Sequence, residues 1–189
     1  EAWTTDIGGL KAEPLRFRRM PFIPDNQSLA GLQQRLQSSD LFERIAAMNI
    51  FAMLLAESQH IAAGRLQYTA RPIDAAAVQK AVLSRVDDSD WQVRARLAEC
   101  LRWFELNPEV TNAALRLLND SHWLVRGLGM RALADHHGAK FQPILTKASQ
   151  ADPDEWVRQL ASALNARIAA AASQPASQPA EAKPVTSSR

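Results

Sequence analysis

Asp90-Trp91-Gln92-Val93-Arg94 reads as the capped start of a helix, and its pattern comes back twice. It returns as Ser121-His122-Trp123-Leu124-Val125-Arg126, and then as Asp152-Pro153-Asp154-Glu155-Trp156-Val157-Arg158. The arginines advance from 94 to 126 to 158, a step of 32 residues each time. A period of this length signals a stack of like units, each burying its apolar face against the next, rather than one globular core.

Working outward, Arg44 extends the arginine series toward the N-terminus. Relative to the four arginines, Ala47, Leu97, Gly129 and Ala161 share one column, and Ile50, Cys100, Ala132 and Leu164 the next. Leu54, Phe104, His136 and Ile168 form a third. Small and apolar residues at this spacing make one stripe of a helix that neighbours can approach closely. The first unit departs most. It has Glu43 where the others have valine, and an insertion near Gln59 to Pro72 separates it from the second.

Each second helix is preceded by a first. Ser28 is a plausible N-cap for a helix carrying Leu29, Leu32 and Leu36, and Leu41 to Ala63 follows, ended by Gly64. Pro72 and Asp74 open the next pair, which ends with Trp91 to Leu106. The third pair is Glu109 to Leu118 and His122 to His136, with Gly138 as a C-terminal stop. The fourth is Ala139 to Ser149 and Glu155 to about Ala171. The expectation is an all-α protein of eight helices in about four antiparallel pairs.

Composition limits the alternatives. Of the 189 residues 47% are hydrophobic, enough for a sizeable core, and the formal net charge is only +2. So small an excess does not by itself indicate nucleic acid. Cys100 is the only cysteine, so no internal disulfide forms, and no apolar run reaches the ~18 residues of a membrane span. Residues 1–27 hold Gly8-Gly9, Pro14, Pro21 and Pro24 and read as an extended arm. The repeat domain is expected over 28–172. Residues 173–189, with Ser-Gln-Pro-Ala twice in succession, read as a disordered tail or linker. A start at Glu1 is expected of a processed product or a fragment.

Helical pairs with an aspartate in the internal turn and Val-Arg early in the second helix resemble HEAT repeats, well over 74–170 and less over 28–63. The resemblance implies a short right-handed α-solenoid with two faces, one often used for a partner. An aspartate in the turn can cap the following helix. An arginine one turn later can bond a turn aspartate of its own or a neighbouring unit, forming a ladder between repeats. Asp40, Asp90, Asp120 and Asp154 are the candidate partners of Arg44, Arg94, Arg126 and Arg158. Each arginine arrives with an aspartate, which argues against a bare row of cations facing phosphates.

No catalytic constellation stands out. His136 and His137 are adjacent and point about 100° apart on a helix, so they chelate poorly together. The His-Glu dipeptides used by HEAT-repeat di-iron hydroxylases do not occur here. No catalytic, cofactor-binding or metal-binding residue is therefore assigned, and Cys100 reads as a small core residue. The arm segment Leu15 to Pro24 alternates basic and aromatic residues, and is read as covering the open end of the stack.

The function these features indicate is a non-catalytic scaffold that binds a protein partner or stabilises an assembly. Trp91, Trp123, Arg96 and Arg131 are the candidate anchors, the arginines because they lie outside the ladder register. The alternative is a nucleic-acid-binding module similar to HEAT-like alkylbase DNA glycosylases, disfavoured by the balanced charge. Oligomeric state is left open.

Overall fold

A computed structural model describes residues 29–62 and 74–173. The helices are α1 (Leu29–Leu36), α2 (Leu41–Ala62), α3 (Ala75–Leu83), α4 (Trp91–Leu101), α5 (Pro108–Leu117), α6 (Trp123–Ala151) and α7 (Glu155–Ser173). Among the described residues there is no strand. The expected arm at 1–27, Gly64 and the tail beyond Ser173 lie outside the described residues.

Side chains in the turns start most of these helices. Asp40 accepts from Phe42 N at 2.8 Å, Asp74 from Ala77 N at 3.0 Å and Asp90 from Gln92 N at 2.8 Å. Asn107 accepts from Val110 N at 2.9 Å, with Pro108 following where its missing N–H is not needed. Asp154 accepts from Val157 N at 3.2 Å. Each such cap stabilises its helix by about 1 kcal/mol. In the third unit the cap is unusual, for it is the Nδ1 of His122 that accepts from Leu124 N at 3.3 Å.

α6 is a single helical stretch from Trp123 to Ala151, where two helices separated at Gly138 were expected. The run is nevertheless not one straight rod. Arg126 Nη2 lies 2.7 Å from Asp152 Oδ1, although 26 residues separate them. A straight helix rising ~1.5 Å per residue would hold them about 39 Å apart. The axis therefore folds back midway, in the region of Gly138, and the two arms lie antiparallel. The reversal falls near Gly138, the expected boundary between the two helices. Pro143 falls early in the second arm, where a lost N–H costs least. Seven helical runs thus supply eight rods in four pairs: α1/α2, α3/α4, α5 with the first arm of α6, and the second arm of α6 with α7.

One other boundary differs. α4 stops at Leu101 rather than Leu106, because Trp103 N and Phe104 N bond back to the carbonyls of Cys100 and Leu101 and tighten the chain into a turn. Phe104 is buried there.

The core follows the stripe. One cluster joins Leu32, Met48, Phe51, Val82, Leu97, Leu101, Leu117 and Leu133 across the first three units. A smaller one, with Met130, Leu145, Val157, Ala161, Leu164 and Ile168, holds the fourth unit to the third. Close approach needs small residues. A Cβ on Gly129 would stand 3.2 Å from Leu117 Cβ, so glycine lets α5 and α6 meet. His136, in an otherwise apolar column, is accommodated by placing its Nε2 2.9 Å from the Leu101 carbonyl oxygen. Cys100 is fully buried, and that burial pushes its thiol well above the usual range. We expect Cys100 to resist a thiol reagent such as DTNB in the native protein at pH 8 and to react fully in denaturant. Rapid stoichiometric labelling without denaturant would contradict this packing.

Candidate partner-binding surface

The repeat arginines are bound up within the stack. Arg94 donates from Nε and Nη2 to the two carboxylate oxygens of Asp120, at 2.6 and 2.9 Å. Arg126 does the same to Asp152, at 2.9 and 2.7 Å. Arg44 Nη2 donates to Asp88 at 3.2 Å, with Nε 3.1 Å from the second oxygen. In every case the aspartate belongs to the next unit's turn, and the arginine's remaining amino group binds its own turn. Arg94 Nη1 reaches the Asp88 carbonyl at 2.6 Å, and Arg126 Nη1 the carbonyls of Asp120 and Ser121 at 2.9 and 3.1 Å. Bidentate charge-assisted pairs of this kind are among the stronger polar contacts in proteins.

The expected partners need correcting at three places. Asp40, Asp90 and Asp154 cap their own helices and face no ladder arginine. Asp88 and Asp152, two residues earlier, take the ladder role with Asp120. Each of the three also accepts a backbone N–H two residues on, from Asp90, His122 and Asp154. The ladder aspartate thus shapes its own turn while it grips the preceding unit. Arg158 keeps the local pose, with Nη1 on the carbonyls of Asp152 and Pro153, but meets no carboxylate among the described residues.

The charges respond as this geometry requires. Burial alone would raise the Asp120 carboxyl. The Arg94 hydrogen bond, the His122 N–H and the nearby positive charges outweigh it and hold the group below its ordinary value. Asp152 is lowered in the same way by Arg126 and the Asp154 N–H, against burial. The hydrogen bond to Asp120 raises Arg94, and that to Asp152 raises Arg126. A carboxyl depressed in the folded state binds fewer protons there than when unfolded. Its stabilisation is therefore whole above about pH 4 to 5 and is lost as pH falls through the lower folded value. We expect a thermal midpoint that is steady from pH 7 to 5 and falls below about pH 4. The Asp120→Asn variant should start lower and fall less. A midpoint independent of pH down to 3 would contradict the ladder.

The tryptophans make a second line. Trp91 stacks on His122 with ring centres 3.8 Å apart and planes 2° from parallel. His122 lies 5.7 Å from Trp123, and Trp123 meets Trp156 edge-on at 4.9 Å. Four rings from three successive units form one row along the starts of the second helices. Trp123 and Trp156 remain 40% and 42% exposed. Glycine makes room for the last ring, since a Cβ on Gly127 would fall 2.3 Å from Trp156 Cζ3.

Of the two arginines expected beside the tryptophans, Arg96 pairs with Glu99 at 2.6 Å on an exposed face. Arg131 instead joins a group. Asp135 is approached by Arg102 at 3.2 Å, Arg131 at 4.0 Å and Arg167 at 2.6 Å. These arginines come from three successive units. Arg102 and Arg167 were not picked out from the sequence. Their signal there is faint, since each merely lies about two turns beyond a ladder arginine. An open cleft between the turns of units two and three is lined by Asp87, Asp88, Arg94, Arg116 and Asp120, but these charges pair among themselves and with Arg44. Among the described residues no three metal-ligating side chains come together.

Paired helices in register, tied unit to unit through turn aspartates, define a helical-repeat stack. Residues 79–165 match the family model for HEAT repeats, and the helical stack over that stretch is consistent with the HEAT-repeat family. Repeats of this family commonly mediate protein interactions and are typically non-catalytic. No curated protein and no solved structure matched the chain. None of the described helices is long and apolar enough to cross a membrane.

Proposed function

We propose that the protein is a non-catalytic scaffold whose second helices present a binding surface to a protein partner. The row Trp91–His122–Trp123–Trp156 is the observation that supports this reading most. Rings at the ends of three units, two of them well exposed, offer the large and rigid contact area that anchors interfaces. The ladder arginines are saturated by Asp88, Asp120 and Asp152 and offer little to phosphates. The test is photo-crosslinking in the producing cell, with benzoylphenylalanine placed at Trp123 or, on the opposite side of unit four, at Lys147. A discrete protease-sensitive, nuclease-resistant adduct from position 123 and none from 147 is expected. Equal labelling from both positions, or an adduct removed by nuclease, would overturn the proposal.

A further inference from the structure

We infer that Arg102, Arg131 and Arg167 form a recognition site for carboxylates of an acidic polypeptide. The inference rests on the protein-partner reading and specifies the chemistry of that partner. Three guanidinium groups surround one carboxylate, Asp135, at 3.2, 4.0 and 2.6 Å. Their side chains are 32%, 49% and 52% exposed, so part of each remains open to solvent. In the ladder the pairs are largely buried, including Asp88, which takes both Arg44 and Arg85. Around Asp135 the arginines are much more exposed. Here two positive charges are left over, and the three arginines come from the end of α4, from α6 and from α7, whose relative positions the stack fixes.

An arginine has five N–H donors in a planar fork suited to carboxylate geometry, and Asp135 can occupy only a few of the fifteen or so that three forks provide. Trp91 and Arg102 are eleven residues apart on α4 and its end, and Trp156 and Arg167 are eleven apart on α7. Eleven residues are close to three helical turns, so each pair lies along one side of its helix, about 16 Å apart. One extended segment could therefore place acidic side chains on the arginines and an apolar one on the exposed tryptophans. A nucleic-acid strand fits less well. At the tryptophan edge Asp90, Asp154 and Glu155 have no ion-pair partner among the described residues, and they would repel a continuous line of phosphates.

Fluorescence anisotropy with the full chain tests this. The probes are a fluorescein-labelled peptide Gly-Glu-Asp-Glu-Leu-Gly, its Gly-Gln-Asn-Gln-Leu-Gly counterpart and a labelled twelve-residue oligothymidylate, at low salt. The acidic peptide should bind at least tenfold tighter than the amide peptide and the oligonucleotide, and weaken as salt rises. Arg131→Gln with Arg167→Gln should reduce its affinity about tenfold or more. Asp135→Asn removes the internal competitor and should raise affinity several-fold. Thermal midpoints of the arginine variants should stay near wild type, since exposed pairs contribute little. Equal binding of acidic and amide peptides, loss of affinity in Asp135→Asn, no binding up to millimolar peptide, or tighter binding of the oligonucleotide would each overturn the inference. A protein adduct at position 123 alongside such a failure would leave the scaffold reading standing and remove only the acidic partner.

Discussion

Arg126→Ala should lower stability by about 2–4 kcal/mol and the thermal midpoint by roughly 10 °C. The substitution removes both bonds to Asp152 and both to the turn carbonyls of Asp120 and Ser121. It leaves the Asp152 side chain, 7% exposed, as a nearly buried carboxylate without its cation. That stranded charge, more than the lost attraction, sets the size of the effect, and the residual solvent access of the pair keeps it below that of a fully buried one. Arg158→Ala is the internal comparison. Arg158 holds its own turn carbonyls but no carboxylate among the described residues, so its loss should cost under about 1 kcal/mol. Equal costs at the two positions, read from urea or thermal denaturation, would contradict the assignment.

Leu97→Ala should cost about 3–5 kcal/mol. Leu97 is fully buried in α4, at the centre of the cluster joining the first three units. Trimming it removes transfer energy and leaves a cavity that helices packed on both sides cannot easily collapse into. Leu164→Ala in α7 should behave differently, because the fourth unit's cluster is small and lies at one end. In a quasi-one-dimensional stack an end unit can open while the rest stays folded. Hydrogen exchange should therefore show α7 and the second arm of α6 exchanging faster in Leu164→Ala while α4 keeps its protection. In Leu97→Ala protection should fall throughout. Uniform loss in both variants would mean that the four units unfold as one.

Much of this architecture was readable beforehand, and the errors have specific causes. The step of 32 residues and the apolar columns located the second helices because burial on one face leaves a regular trace in sequence. The ladder arginines stood out for the same reason. Their partners were misread in three units, in two of them because the turn holds two aspartates with different tasks. Asp88 and Asp152 grip the preceding unit, while Asp90 and Asp154 cap the helix. In the third unit His122 is the cap, so Asp120 stood alone and was identified. The ladder residue lies six before its unit's arginine throughout, and in the first unit that place is held by Ser38, whose hydroxyl accepts from Asp40 N. Serine keeps the turn, but it offers no carboxylate to a preceding unit.

Gly138 was a sounder signal. A glycine after a helical stretch suggests a stop, and the chain does reverse near it, although no break in helical structure separates the two arms. The grouping of Arg102, Arg131 and Arg167 around Asp135 was hidden because it joins residues from three units that only the packing of the stack brings together. The tryptophans were visible as a row at the starts of the second helices, but not the part of His122, whose imidazole fills the space between two indoles.

The central claim is that the repeat arginines are committed to the next unit's aspartate and are part of the framework, leaving recognition to the surface beyond them. A double-mutant cycle on Arg126→Ala and Asp152→Ala, measured by urea denaturation at pH 7 and at moderate salt, tests it most directly. The account predicts a coupling energy of about 1.5–3 kcal/mol, with the double variant more stable than the sum of the single losses implies. A coupling near zero, with each single variant close to wild type, would contradict it and return those arginines to the pool of residues free to bind a ligand.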